Sequence, residues 1–311
     1  MKNASFTLPS QYFHQAPESW SSFLVKLLLR FYNRKNRLQH KLNGPAMPSQ
    51  PAPIPPKLLQ KLHISQDEVQ GRQVYKITHP QKKSSKVILY LHGGAYVNNL
   101  LKPHWDLIGK LVELTGATCI VPDYPLAPQH QYPAVYAMLD EIYADLGQQF
   151  APENCVLMGD SAGAALALGF AQQLVAQLKP QPAQLILLAP WLDVSMTNPA
   201  LVALEKTDPM LSVQGLRSAG LAYAGSPEAT TLAPVSPLYG SLEGLAPMAI
   251  FIGTHDLLWA DVQRLRELLD KAGVSYRYWE YPKMIHVWMA VTFMPEAQHA
   301  LREIAQLLND A

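Results

Sequence analysis

The residues that most restrict how this chain can fold are Gly159, Asp160, Ser161, Ala162 and Gly163, set between a short apolar run, Cys155 to Met158, and a long alanine- and leucine-rich segment, Ala164 to Leu178. Such a sequence reads as strand, sharp turn, helix. A serine at the tip of that turn is held in a strained backbone conformation with its hydroxyl pushed outward, and the flanking glycines let neighbouring chain approach without a Cβ clash. The helix that follows brings unsatisfied N–H groups and a positive dipole end to the same point, which suits an oxyanion forming at an attacked carbonyl. Serine between glycines is also ordinary turn chemistry, so the pentapeptide takes its meaning from its surroundings.

Those surroundings alternate strand and helix. Val87 to Leu91 reads as a buried strand, followed at once by His92, Gly93, Gly94, Ala95 and Tyr96, whose paired glycines leave backbone N–H groups bare. A helix over Trp105 to Thr115, a strand over Thr118 to Pro122 and a helix from Ala134 to about Phe150 precede the pentapeptide, and a strand over Leu185 to Ala189 follows it. Met248 to Gly253 is a further apolar strand with Asp256 just beyond it, and Tyr276 to Tyr281 is the last strand, with His286 in the next loop. Helices over Asp261 to Ala272 and Pro295 to Leu308 close the chain. The class is α/β, with a mostly parallel central sheet and helices on both faces. Ile64 to His79, turning at Gly71, reads as two antiparallel edge strands.

In chain order the candidates run Ser161, Asp256, His286, the order of α/β-hydrolases. Together with His92-Gly93-Gly94, the Gly-Asp-Ser-Ala-Gly elbow, Asp123-Tyr124 and Leu126-Ala127-Pro128, they make the chain resemble the hormone-sensitive-lipase-like branch of that fold, the bacterial type IV carboxylesterases, over about residues 85–290. The resemblance implies the α/β-hydrolase fold with a helical cap. It implies Ser161 as nucleophile, His286 as base and Asp256 as acid, with the N–H groups of Gly93, Gly94 and Ala162 as oxyanion hole. It also implies a small-molecule ester as substrate, of short or medium acyl chain, acetyl and aryl esters included. Arylformamide or other amide hydrolysis on the same triad is one alternative, and a non-catalytic ligand-binding homologue is another. The family's Tyr-Arg-Leu-Ala-Pro-Glu segment is here Tyr124, Pro125, Leu126, Ala127, Pro128, Gln129, so any ion pair supplied by that arginine and glutamate must be replaced. Val287-Trp288 stands where Gly-Phe often follows the histidine, and that bulk beside the base disfavours large triglycerides.

Other residues compete for these roles. His255 adjoins Asp256, and Asp193 follows a strand where related hydrolases place their acid. His92 reads as a residue shaping the glycine turn, His299 lies within the last helix, Asp261 sits near a helix start, and Asp160 reads as an elbow residue with local hydrogen bonds. Residues 192–238 break the alternation, carrying Asp193, a helix after Pro199, Asp208-Pro209-Met210-Leu211 and a helix from Val213 to Tyr223. The portion from about 194 to 238 reads as a cap insertion in a core of residues 61–311, and residues 1–60 as an N-terminal cap segment with a proline-rich linker.

That segment is electrically separate from the rest. Between Ser19 and Gln66 there is no Asp or Glu, yet Lys26, Arg30, Arg34, Lys35, Arg37, Lys41, Lys57 and Lys61 give it +8 in a chain of net +1. The near-neutral total offers no general attraction to nucleic acid. Trp20, Phe23, Leu24, Leu27, Leu28 and Phe31 recur at helical spacing, which predicts an amphipathic basic helix. It is read as a cap helix over the active-site mouth, with contact to an anionic membrane surface as the alternative. Six prolines between Asn43 and Lys57 predict an extended spacer without helix or sheet.

Charged residues are 16% of the chain against roughly a quarter in an average domain, so a large core can be buried. Only Cys119 and Cys155 are present, both in predicted strands, which fits a reducing compartment; a disulfide between adjacent strands is the alternative. The early apolar run, Phe23 to Leu29, is broken by Lys26, so neither a leader nor a membrane span is read, and the cytoplasm is expected. No residue cluster has metal-ligand spacing and no dinucleotide fingerprint follows the first strand, so no metal or cofactor is expected. A homodimer stands open beside the monomer.

Overall fold

A computed structural model describes residues 10–32, 35, 38, 42 and 50–310. Among the described residues nine strands form one sheet: β1 (Gln11–Phe13), β2 (His63–Val69), β3 (Arg72–Thr78), β4 (Val87–Leu91), β5 (Thr118–Pro122), β6 (Cys155–Asp160), β7 (Gln184–Leu188), β8 (Met248–Gly253) and β9 (Tyr276–Tyr281), in the spatial order β1-β9-β8-β7-β6-β4-β5-β3-β2. Only the β2/β3 and β3/β5 pairs are antiparallel. Strands β4, β6, β7 and β8 are wholly buried, as near-continuous apolar runs in a parallel sheet must be. Along β4 the two faces alternate: Val87, Leu89 and Leu91 join one core layer, Ile88 and Tyr90 the other.

The described helices are α1 (Trp20–Phe31), α2 (Pro56–Leu59), α3 (Lys102–Thr115), α4 (Tyr132–Gln149), α5 (Ala162–Ala176), α6 (Leu201–Leu204), α7 (Val213–Ala224), α8 (Trp259–Ala272) and α9 (Pro295–Asp310). The first core layer takes Leu139 of α4, Leu166 and Phe170 of α5, Tyr223 of α7 and Leu265 of α8; the second takes Ile108 of α3 and Ile304 of α9. Helices α3 and α4 begin a few residues earlier than expected, because Pro103 and Pro133 fall in the first turn, where a missing N–H costs nothing. The helix after Pro199 is a single turn.

Three expectations are corrected. Strand β1 was not foreseen, since Gln-Tyr-Phe is too short for any alternation to register; it pairs in parallel with β9. The proline-rich spacer lies outside the described residues over 43–49, and its end is helical: Pro56 opens α2, while Ala52 is tied to the core by an N–H···O bond to Leu100 at 2.7 Å and by the Trp105 indole at 2.8 Å. Helix α1 forms where its pattern predicts but faces the other way. Ser22 and Lys26 are buried, whereas Trp20, Phe23, Leu24, Leu27, Leu28 and Phe31 are exposed. Polar partners explain this: Lys26 pairs with Glu18 and reaches the Lys283 carbonyl, and Glu296 accepts from the Ser19 amide at 2.7 Å and the Ser19 hydroxyl at 2.9 Å.

Cys119 and Cys155 are free and buried. Strand β4 lies between their strands and their side chains enter opposite core layers, so the disulfide alternative is excluded.

Candidate active site

Ser161 sits between β6 and α5 at φ 55°, ψ −120°. The chain holds that conformation because its neighbours are glycines packed against backbone. A Cβ on Gly159 would lie 2.4 Å from the Gly163 carbonyl oxygen, and one on Gly163 would lie 1.9 Å from the Leu91 oxygen of β4. The Ser161 amide donates to Leu188 at 2.8 Å, anchoring the turn to β7 as well. Asp256 follows β8 and His286 follows β9, and these two loops are stitched together: His255 N donates to the Met284 carbonyl at 3.0 Å, and a Cβ on Gly253 would come within 2.2 Å of that same oxygen. Nε2 of His286 lies 2.8 Å from Ser161 Oγ, and its Nδ1 lies 2.8 Å from Asp256 Oδ2. With the ring proton on Nδ1, the imidazole donates to Asp256 and accepts from the serine hydroxyl. All three side chains are buried.

A family model described as the alpha/beta hydrolase fold matches residues 88–290. The chain belongs to that α/β-hydrolase family, in its hormone-sensitive-lipase-like branch. It is 35% identical over 234 residues to an esterase of Acinetobacter venetianus, covering 73% of this chain and 75% of that one. An acetyl-hydrolase of Streptomyces hygroscopicus is 31% identical over 235 residues, 75% and 78% of the two chains. The crystal structure of an esterase from the bacterial hormone-sensitive lipase family superposes with a TM-score of 0.82 at 25% identity, over 95% of this chain and 99% of that one.

In this hydrolase the loop after β4 departs from expectation at one residue. The Gly93 amide donates to Asp160 Oδ1 at 2.9 Å, so it is already engaged and drops out of the oxyanion donors. The loop then runs through positive φ at Gly94, Ala95 and Tyr96 (127°, 55° and 60°), and among the described residues the amides of Gly94, Ala95 and Ala162 have no protein acceptor. Asp160 organises the turn: besides Gly93 it accepts from the Tyr90 hydroxyl at 2.6 Å and faces His104 at 3.4 Å. Burial pushes its carboxyl up, but His104 and these hydrogen bonds outweigh that and hold it below the usual range.

The competing candidates other than His255 are occupied elsewhere. Asp193 accepts from Ser195 and, at 2.8 Å, from the Tyr239 hydroxyl. His92 Nδ1 donates to the Gly93 carbonyl at 2.8 Å and the ring stacks on Tyr124 at 4.3 Å; burial and the neighbouring His104 push it down to about 3, so it stays neutral. His299 bonds the Tyr281 hydroxyl and Asp261 bonds Asn198, while the buried Nδ1 of His255 has no hydrogen-bond partner among the described residues. Without an arginine after Tyr124, Asp123 is paired instead with Arg72 of β3, whose guanidinium lies 2.7 Å from it. Trp288 packs on Tyr281 in the second core layer, so its bulk fills the core and does not narrow the site as expected.

One site residue was missed. Asp208, noted only as part of Asp-Pro-Met-Leu, is buried and accepts from the amides of Met210 at 2.6 Å, Leu211 at 2.9 Å and Leu257 at 2.7 Å. Leu257 is the residue after Asp256, so Asp208 ties the β7–β8 connection to the acid loop. The available signal was an Asp before Pro in apolar surroundings, a side chain suited to accepting amides two and three residues on. Burial and the Asp256 charge push its carboxyl up to about 6. Burial pulls His286 down, but the charges of Asp256, Asp208 and Asp160 more than reverse it, so the imidazole ends above its ordinary value. Among the described residues no group of three His, Cys, Asp or Glu could hold a metal ion, and no helix is long and apolar enough to cross a membrane.

Proposed function

We propose that this hydrolase is a serine carboxylesterase acting on short- to medium-chain acyl esters, acetyl and aryl esters included, through an acyl-enzyme. The observation that carries the reading is the continuous relay from Ser161 Oγ through both His286 nitrogens to Asp256, each link 2.8 Å. Ser161 Oγ attacks the ester carbonyl carbon while His286 Nε2 takes its proton, and Asp256 stabilises the imidazolium. The oxyanion is held by the N–H groups of Gly94, Ala95 and Ala162. As the tetrahedral intermediate collapses, the carbon–oxygen bond to the alcohol breaks and His286 returns its proton to the departing oxygen. Water, deprotonated by His286 Nε2, then attacks the acyl carbon, the carbon–Oγ bond breaks, and His286 returns the proton to Oγ, releasing the acid and free serine.

A small acyl pocket is favoured by the aromatic stack beside the turn. Tyr96, next to the oxyanion loop, stacks on Tyr223 at 3.6 Å and on Trp191 at 5.6 Å, and the Trp191 amide donates to the Ser161 carbonyl. The acetyl-hydrolase relative supports the same end of the range. The cap is built by about 194–238 together with Lys35, Leu38 and Leu42 of the N-terminal segment: Lys35 donates to the Glu205 carbonyl, Ser212 donates to Lys35 at 3.2 Å, and Leu38 and Leu42 pack on the first core layer. Two free buried thiols fit the cytoplasm.

The test is a p-nitrophenyl ester series of rising acyl length, with a serine-reactive organophosphate and mass mapping of the adduct. Release should be greatest for short chains, be blocked by the reagent and label Ser161. Ser161→Ala should lower kcat by roughly 10⁶-fold with unchanged folding. No inhibitable release at any chain length would overturn the assignment.

A further inference from the structure

The exposed side of α1 is its apolar side. Trp20 and Phe31 are 81% and 83% exposed, and Phe23, Leu24, Leu27 and Leu28 between them are 50% to 55% exposed. Single exposed apolar residues are ordinary on a protein surface, whereas a contiguous stripe of six large ones marks an interaction surface. Nor is the helix loosely placed. Its buried stripe is pinned by the Lys26–Glu18 pair, by Lys26 on the Lys283 carbonyl and by Ser22 on Met284 Sδ at 3.7 Å, with Ser19 capping the first turn at 3.2 Å. The outward stripe is thus the helix's defined orientation.

Charge selects the occupant. The stripe belongs to the segment from Ser19 to Gln66 that holds eight Lys and Arg and no acid; Lys26 is paired with Glu18 and Lys61 with Glu113, so two of the eight charges are met within the protein and six remain, and Arg30 is exposed within α1 itself. We propose that α1 lies in the surface of an anionic lipid bilayer, with Trp20, Phe23, Leu24, Leu27, Leu28 and Phe31 among the acyl chains, Arg30 beside the lipid phosphates and the net positive charge of the segment attracting the anionic surface. A second copy fits less well, because apposed α1 faces would bring two positively charged segments together. Twelve residues of helix extend about 18 Å, too short to span a bilayer but suited to lying in its interface. Docked this way, α1 holds Lys283 and Met284, and so the loop bearing His286, beside the phase in which poorly soluble esters collect. That last consequence alone rests on the esterase reading.

The full chain and its Ser161→Ala variant are floated with vesicles of phosphatidylcholine, with and without phosphatidylglycerol, so that binding is scored apart from catalysis. Both chains should float with the anionic vesicles. Each basic residue at the surface contributes roughly five-fold in partition, so removing the anionic lipid should weaken binding more than tenfold, as should about 1 M salt, which cuts the screening length to ~3 Å. Leu24→Glu/Leu28→Glu should abolish flotation while hydrolysing a water-soluble ester at the parent rate. No flotation of the parent on anionic vesicles, equal flotation on neutral ones, or undiminished flotation of the double variant would each overturn the proposal. So would a dimer in sedimentation that the double variant splits, which would assign the face to a second copy.

Discussion

The His286 imidazole touches one carboxylate, Asp256, and feels a second, Asp208, whose own oxygens are spent on the amides of Met210, Leu211 and Leu257. In the proposed mechanism His286 accepts the serine proton only when neutral, so its raised pKa should place the acid limb of kcat/KM above that of an ordinary imidazole. Asp208→Asn removes one of the charges holding the imidazolium, so the limb should move to lower pH, while kcat at the optimum falls about tenfold as the imidazolium loses support. A pH–rate profile of both proteins checks this, and a lower kcat with an unmoved limb would reduce Asp208 to a purely structural tether. Its role was not legible because Leu257 lies 49 residues further along the chain. Ser161, Asp256 and His286 were legible because each follows the end of a recognisable strand, in one characteristic order. Gly93 misled for a related reason: the motif marks where bare amides cluster, but the direction of each depends on the dihedrals around it, and Asp160 captures the first.

The strand–turn–helix of β6 and α5 was readable as a unit because its parts agree: an apolar run, two glycines and helix-forming sequence. The glycines do more than permit a turn. Gly163 is where α5 meets the end of β4, and a methyl there would sit 1.9 Å from the Leu91 oxygen, a backbone atom fixed by its place in the sheet. Gly163→Ala should therefore push α5 away from β4, with a cost of about 3 kcal/mol and a large loss of kcat as the Ala162 amide shifts with the helix. Urea unfolding alongside turnover checks it, and full stability with full activity would mean the helix start has more room than this packing allows. Helix α1 shows the limit of pattern reading. Periodicity located the helix and its apolar stripe, but which stripe faces the core is decided by Glu18, Glu296 and the Lys283 carbonyl, partners the local pattern does not contain.

The two ends of the described chain are tied to each other. Strand β1 extends the sheet beyond β9, Tyr12 stacks on His299 of α9 at 5.3 Å, and Glu296, at the start of α9, holds both the amide and the hydroxyl of Ser19. The interior is organised differently: β4, β6, β7 and β8 are covered on both faces, so their opening requires global unfolding, whereas α1 rests on a few polar contacts and on Val25 and Leu29, half-buried against the second core layer, with six large apolar residues in solvent. Such an arrangement gives unequal local stability. Glu296→Ala strips two acceptors from Ser19, and losing a partly buried amide's partner costs about 1–3 kcal/mol, a cost that falls on the attachment of α1 and not on the sheet. Amide hydrogen exchange followed by mass spectrometry should then show α1 exchanging at least ~5-fold faster, with β4, β6 and β8 protected as in the parent and p-nitrophenyl acetate turnover retained. Equal acceleration in α1 and the central strands would mean that the N-terminal layer and the sheet unfold as one cooperative unit, and that Glu296 secures the whole molecule.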